Sequence, residues 1–554
     1  MACFAMYQRQ SKALPNHWSS VLWADASGYY AYLPFVFIYN ADASAIPINA
    51  ADSVGNGFSV DSQAKKFKDK YTCGVALMQL PFFICVNASQ ILSGIENISG
   101  FEPAFYWVIY LAALFYGVLG FFFLYNFLSK FYEVRICMVI VLSVFLGTPV
   151  YYYLADSSGM SHIYSFFLIS AFLLLTTKVL EGYSIKWLII WAFVLGLILL
   201  IRPTNLLLVF AILAYIIGLM GKGLKGLKVW FKFSSVLVVI TVIFLIWLPQ
   251  LAYWHYLTGS WWHYSYGNES FSNLTKPKVL HFLFAPENGL LIYTPWILFA
   301  VSGSFITLRL GRYNFIIPVI LGLAVYLYAS WHQYYFGCGF GSRNFVEYTP
   351  LLALPAAGLL NYLRLRNIFY RVVTYFFLVL VCWVNLSLTR NYGKCFGGNF
   401  HWDWDQYRYY LLSNPNRITI DFEKTVTSGV DQLQAHSGKH SVLIADSTKF
   451  AIVHDFVIGS QSLGGYRHAE LTAWFKADGV IKNIDVLLRV DNETEPLSTT
   501  QITFPGNLLP ANQWVRLSAK VNISRPTPAG ARMKLIFTGS SCSYRVDDVQ
   551  LVLR

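Results

Sequence analysis

For most of its length the chain alternates long apolar runs with short polar joints, and then the pattern changes. Ten runs are long and uncharged enough to read as membrane spans: 104–128, 136–154, 163–180, 187–201, 206–220, 233–254, 290–308, 315–331, 350–363 and 370–388. A further apolar stretch, 73–93, is interrupted by Gly74, Gln79, Pro81, Asn87 and Gln90, which predicts an interfacial helix rather than a span. Residues 1–72 are mixed in polarity and aromatic-rich, and end in a basic run from Lys65 to Lys70. Past residue 391 a stretch rich in Gly, Trp and Tyr leads into short alternating runs separated by turn residues. Strands are predicted at 441–444, 469–475, 486–490, 514–518, 533–537 and 544–551, spaced as in an antiparallel β-sandwich. The fold class is therefore a polytopic α-helical membrane protein with a C-terminal all-β sandwich domain. It divides into loops and interfacial helices (1–102), a transmembrane part (103–390), a linker (391–415) and the sandwich (416–554).

Composition sharpens this. Hydrophobic residues make up 56% of the chain and charged ones only 12%, about half the share usual in soluble domains, so a single soluble core is excluded. The net charge of +13 would fit a nucleic-acid partner, but its placement argues against one. Alternate loops hold Lys130 and Arg135; Lys178 and Lys186; Lys222, Lys225, Lys228 and Lys232; Arg309 and Arg312; Arg364, Arg366 and Arg371. The remaining loops hold only Arg202, Lys276, Lys278 and Arg343. Thirteen against four is the positive-inside pattern; it makes the first set cytoplasmic and puts both termini outside. The first twenty residues contain no apolar core to act as a signal, so the expectation is that an anchoring helix ahead of them is missing from this chain. Eight cysteines without C-x-x-C spacing give neither a metal site nor a redox motif, and leave open whether a divalent ion takes part.

The polar groups that stand out fall on the outer side of these spans. Asp25 lies among aromatics in Trp23-Ala24-Asp25-Ala26-Ser27-Gly28-Tyr29-Tyr30, where it is either the N-cap of the following helix or a general base. Asp156 and His162 flank a glycine-containing turn, and Arg202 ends a span. Glu269 and Glu287 lie in a long loop with His255, His263 and His281, and Arg343 closes the glycine-rich Gly337-Cys338-Gly339-Phe340-Gly341-Ser342. Each has a structural reading: caps for Asp156 and His162, snorkelling for Arg202, a tight turn around Arg343. Taken together they make a different set. Guanidiniums bind phosphate oxygens bidentately, glycine-rich turns admit backbone N–H groups to the same anion, and a carboxylate can deprotonate an attacking hydroxyl.

The order of these pieces resembles the GT-C membrane glycosyltransferases, in particular the protein-O-mannosyltransferase and aminoarabinose-transferase branch. The matching pieces run from Asp25 to Pro34, Lys70 to Leu77 with Pro81-Phe82-Phe83, Met160 to Phe167, Arg202 to Asn205, Gly289 to Pro295, and Phe340 to Arg343. They cover about residues 20–390. The resemblance implies a GT-C-like fold in a bacterial inner or cell membrane, with the active site and C-terminal domain extracytoplasmic. It implies a polyprenyl-phosphate sugar as membrane lipid donor and a glycan, lipid or protein as acceptor. It gives Asp25 the place of the catalytic acid residue and supports Asp156 as a second one. Tyr29, Tyr30, Lys70, His162, Arg202, Glu287 and Arg343 become candidates for substrate binding. The branch often carries two adjacent acids in this first loop, whereas here Asp25 is followed by Ala26, and the family's first span is not found. The C-terminal domain, with 420–423, 437–441 and 547–551, is similar to carbohydrate-binding jelly rolls. Competing readings are a transporter or flippase of lipid-linked sugars, which should show broken helices or repeats, and a non-catalytic scaffold displaying a glycan-binding domain.

Overall fold

The computed structural model describes residues 20–221 (apart from 48, 62 and 183), 232–307 (apart from 268), 312–392 and 404–412. It also describes residue 6, His436, and beyond residue 416 the strands named below with their short connections. Lys222, Lys225, Lys228, Arg309, the run 414–416 and the stretches 420–423 and 437–440 lie outside the described residues. The chain forms two compact units that divide near residue 390.

All ten apolar runs are helical. The helices that organise the first unit are α1 (Asp25–Phe37), α2 (Gly74–Leu92), α3 (Tyr106–Leu128), α4 (Val134–Gly147), α5 (Val150–Ala155), α6 (Ser161–Glu181) and α7 (Ile185–Ile201). They are followed by α8 (Leu206–Leu219), α9 (Phe233–Thr258), α10 (Trp296–Thr307), α11 (Ile316–Ala329), α12 (Thr349–Arg364) and α13 (Ile368–Asn391). Among the described residues five helices are long and apolar enough to cross a membrane, and five shorter ones are strongly apolar. Lipid-facing side chains such as Leu111, Phe115, Val118 and Phe122 on α3 stay exposed at helical spacing. The unit is that of a membrane protein.

Two of the expected spans are interrupted. The run 136–154 breaks at Thr148-Pro149 into α4 and α5, and 290–308 breaks at Thr294-Pro295, because proline supplies no N–H and pushes the preceding residue out of the helical region. Both breaks face one loop. A Cβ on Gly341 would lie 3.4 Å from Pro149 and 3.2 Å from Tyr293, so the breaks make room for the backbone just ahead of Arg343.

Helix α2, expected as interfacial, is one of the five that pass the length and hydropathy test for a span. Tyr116 donates to Met78 O at 3.0 Å, Phe82 packs on Phe115, and Phe83 on Phe105. It therefore runs antiparallel along the N-terminal half of α3, beside the first loop.

Helix α6 gives the unit two ends. It starts at the buried His162 and, 21 residues later, ends at Glu181, which pairs with Lys130 at 2.7 Å. Arg364, at the end of α12, pairs with Glu133 at 2.7 Å. The basic loops around residues 130 and 364 thus lie about 30 Å from the end that carries His162.

In the second unit all six predicted strands form, as β5 (Ser441–Ile444), β7 (His468–Ala477), β8 (Asn483–Asp491), β10 (Trp514–Asn522), β11 (Arg532–Thr538) and β12 (Tyr544–Leu553). Four more join them: β3 (Arg417–Thr419), β4 (Val430–Asp431), β6 (Phe450–Val457) and β9 (Pro496–Pro505). One antiparallel sheet has the order β10-β7-β12-β5-β4 with β3 on β12, and the other β6-β11-β8-β9. Leu471, Ala473 and Phe475 from the first meet Val486, Leu488 and Leu535 from the second in one core, which makes a β-sandwich.

Candidate functional site

The site is built on the first turn of α1, and that turn is unusual. Asp25 does not cap the helix. The N-cap is Ala24, at φ 51° and ψ −124°, with no side-chain cap bond. This left-handed conformation in a non-glycine residue stores about 1–3 kcal/mol and is held by contacts from the first loop. Ala24 N donates to Val54 O at 2.8 Å, and Gly57 lies so close that a Cβ there would meet Ala24 O at 2.1 Å and Gly28 N at 2.5 Å. The hairpin of β1 (Phe58–Asp61) and β2 (Lys66–Asp69) follows directly. Freed from capping, the Asp25 carboxylate turns to tertiary partners. Gly57→Ala should shift Ala24 and Asp25 by a fraction of an ångström to an ångström, since both clashes are with backbone. The expected result is a loss of turnover of about 10²-fold with the protein still folded, read from initial rates beside a thermal melt.

The partner is Arg343, whose Nη1 donates to Asp25 Oδ2 at 3.0 Å, and the Tyr71 hydroxyl also acts on the carboxylate. The pair is not sealed: the Asp25 side chain is 31% exposed and that of Arg343 20%. Burial alone would raise the Asp25 carboxyl, but Arg343, Tyr71 and Lys70 more than offset it and leave it below its ordinary value of 3.8. Burial, reinforced by Asp25, pushes the Tyr71 hydroxyl well up, so it stays protonated and able to donate.

A second polar cluster lies alongside. His162 Nδ1 is 2.9 Å from Glu347 Oε1, and Arg202 Nη1 donates to that same oxygen at 2.8 Å. Arg202 Nη2 donates to Asn344 Oδ1, and its Nη1 lies 3.0 Å from His162 Nδ1. His162 and Glu347 are each 1% exposed, Arg202 19%. Burial opposes ionisation of Glu347, but His162 and Arg202 outweigh it and keep the carboxyl below its usual range. Tyr29 links the clusters. Its hydroxyl accepts from Ser161 Oγ at 3.3 Å, next to His162, and its ring lies 4.3 Å from that of Tyr71. Arg202, Asp25 and Arg343 all act electrostatically on it.

Of the sequence candidates, then, Asp25, Tyr29, His162, Arg202 and Arg343 come together. Lys70 lies above them, its Nζ 5.3 Å from the Tyr71 ring and 3.0 Å from Glu269 Oε1, so the long loop closes over the first one there. Asp156 ends α5, and the turn after it packs on Ala26 through Gly159, beside the first turn of α1. One expectation is corrected. Tyr30 turns away: its hydroxyl donates to Gly100 O at 2.7 Å and its ring packs against Phe83 and Phe101, so it fills the core of the first loop. Glu287 accepts from the Tyr334 hydroxyl at 2.9 Å, a contact that supports the loop. Its neighbour Asn288 does more of that work, donating to Tyr335 O and Gly337 O, while its Oδ1 accepts from Gly341 N at 3.0 Å. Among the described residues no three His, Cys, Asp or Glu side chains gather as a metal site.

Three residues escaped the sequence reading. Glu347 is the buried carboxylate of the second cluster. Asp69 is also buried, with Tyr71 N donating to its Oδ1 at 2.8 Å; burial holds its carboxyl well above the usual range. Cys338, five residues ahead of Arg343, is disulfide-bonded, while Cys73, Cys85, Cys137, Cys382 and Cys542 are free thiols.

No family model and no curated protein matches the chain. Among solved structures, the archaeal oligosaccharyltransferase AglB from Archaeoglobus fulgidus, in complex with an inhibitory peptide and a dolichol-phosphate, is 12% identical with a TM-score of 0.35; the match covers 74% of this chain and 59% of that one. An arabinose-bound α-L-arabinofuranosidase is 10% identical with a TM-score of 0.18, over 25% of this chain and 23% of that one. The CBM22-1 and GH10 modules of the Clostridium thermocellum N-terminal endo-1,4-β-D-xylanase 10B, complexed with xylohexaose, are 16% identical with a TM-score of 0.16, over 25% and 26%. The chain thus spans about a quarter of the last two and under two thirds of AglB.

Proposed function

We propose that this protein is a membrane glycosyltransferase that moves a sugar from a polyprenyl-phosphate donor to an extracytoplasmic acceptor. The observation that carries the reading is the partly exposed Asp25–Arg343 pair beside a second guanidinium, Arg202. A lipid phosphate entering there would draw Arg343 away from Asp25. The same move would release the carboxylate from the cation that most depresses it, making it a stronger base as the donor arrives. Asp25 would then take the proton of an acceptor hydroxyl or amine as that atom attacks the anomeric carbon. The C1–O bond to phosphate breaks, and Arg343 and Arg202 stabilise the charge on the departing lipid phosphate. A single in-line displacement inverts the anomeric centre. The disulfide at Cys338 supports placing this loop in an oxidising, extracytoplasmic compartment. The sandwich would hold or select the acceptor glycan. Incubating the purified protein with a polyprenyl-phosphate sugar and assigning the product anomer by NMR tests the reading. Inversion with release of polyprenyl phosphate supports it; retention removes the direct displacement.

One observation favours a transporter instead. The helices broken at Pro149 and Pro295 are a feature such proteins share. A transporter would move lipid-linked sugar across a vesicle without Asp25, so flux in an Asp25→Asn protein separates the two.

A further inference from the structure

The two guanidiniums of the site are held in very different ways. Among the described residues Arg343 has one carboxylate partner, itself 31% exposed, so a ligand can compete for it. Arg202 is gripped on its protein side by Glu347 Oε1 and Asn344 Oδ1, and the gripping carboxylate is 1% exposed and shared with His162. Glu347 is held there at a disadvantage to the fold. Among the described residues its Oε2 is buried without a hydrogen-bond partner, as is Asn344 Nδ2, and a buried, half-satisfied carboxylate is destabilising relative to an apolar residue of the same size. A residue needed only for packing at this position would be apolar, as its neighbours Phe345 and Val346 are.

Glu347 also lies on the same short segment as Arg343. The 3-10 turn Arg343–Phe345 runs into Val346 and Glu347, with Val346 N donating to Arg343 O at 3.2 Å, so one rigid stretch carries the ligand-competent guanidinium and the anchor of the fixed one. The anchor lies across the fold from what it holds, since Arg202 comes from the end of α7.

We propose that Glu347 is a positioning residue: with His162 and Asn344 it locks Arg202 at a fixed separation from Arg343, so that the lipid phosphate meets one fixed cation and one that is released to it. This rests on the transferase reading of the site. It requires that Glu347 acts through Arg202 and has no separate contact with substrate. Charge follows the same logic. Glu347 neutralises Arg202 in the empty site, so removing the acid should leave affinity for an anionic lipid unchanged or stronger while turnover falls.

The test is a double-mutant cycle on the full chain in lipid nanodiscs, with Arg202→Gln, Glu347→Gln and the double variant. A short-chain polyprenyl phosphate serves as the binding probe, and its sugar ester as the donor for turnover. Each single variant is expected to lose about 100-fold in kcat, and Glu347→Gln to bind polyprenyl phosphate at least as tightly as the wild type. In the Arg202→Gln background the second substitution should add less than about twofold. Losses that multiply, or weaker binding in Glu347→Gln, would overturn the proposal. Failure of the wild type to bind polyprenyl phosphate at all would instead remove the donor assignment beneath it. Because Glu347→Gln leaves the Arg202 charge uncompensated, the double variant is also the folding control: a melt restored toward that of the wild type, with turnover still lost, is the expected pattern.

Discussion

Replacing Asp25 by Asn should reduce sugar transfer by about 10³-fold while leaving binding of the lipid donor unchanged or tighter. Asparagine has the shape of the carboxylate, and the backbone of Ala24 is held by Val54 and Gly57, so the first turn of α1 has no reason to move. What disappears is the proton acceptor. Arg343 also loses its only carboxylate partner among the described contacts and becomes available to phosphate without competition. The signature is a split: kcat collapses while the dissociation constant for polyprenyl phosphate holds or falls. A mere structural role for Asp25 would move both with the melting temperature. Retained turnover would remove the general-base assignment and leave the transporter reading ahead.

Replacing Arg343 by Gln should damage the other half of the reaction and also change its pH dependence. Without a bidentate donor the leaving phosphate loses one of its two cations, and kcat/KM for the donor should fall by about 10²–10³-fold. Lysine should rescue this only in part, because a point charge does not reproduce the fork. The pH effect follows from the balance at Asp25. Burial pushes its pKa up, and Arg343 is the largest influence holding it down, so the folded value lies below 3.8. A depressed carboxyl is ionised above its unfolded value and lost as pH falls through the folded one, so in the wild type the ionised form persists throughout the neutral and mildly acidic range. Removing Arg343 leaves burial less opposed. The acid limb of kcat/KM should move to higher pH in Arg343→Gln, and an unchanged limb would mean that a different group sets it.

Much of this arrangement was legible in the sequence, and the misses have physical causes. The ten apolar runs and six alternating runs became helices and strands because solvent, lipid or core, selects those periods directly. That Asp25, His162, Arg202 and Arg343 stand at one end followed from counting spans and loop charges. The interruptions at Pro149 and Pro295 were visible as prolines, but hydropathy windows smooth over a two-residue break. The N-cap reading of Asp25 failed because the backbone of Ala24 is set from outside, by Val54 and Gly57 some thirty residues on. No local propensity carries that information. Tyr30 and Tyr29 are adjacent and indistinguishable by composition, and only the helical turn between them sends one into the site and the other to Gly100. Glu347 is the miss with a usable signal: an acid in Phe345-Val346-Glu347-Tyr348, directly before an apolar helix, is costly to bury and therefore marks a partner. It lies four residues after Arg343, yet the structure pairs it with Arg202 and His162.

The most direct test of the central claim is a structure of the full chain in a nanodisc with a polyprenyl phosphate bound. The account predicts phosphate oxygens about 3 Å from the Arg343 guanidinium, with the Asp25 carboxylate parted from that guanidinium and Arg202 unmoved on Glu347. Phosphate found on another face of the unit, with Asp25 and Arg343 still joined, would contradict it.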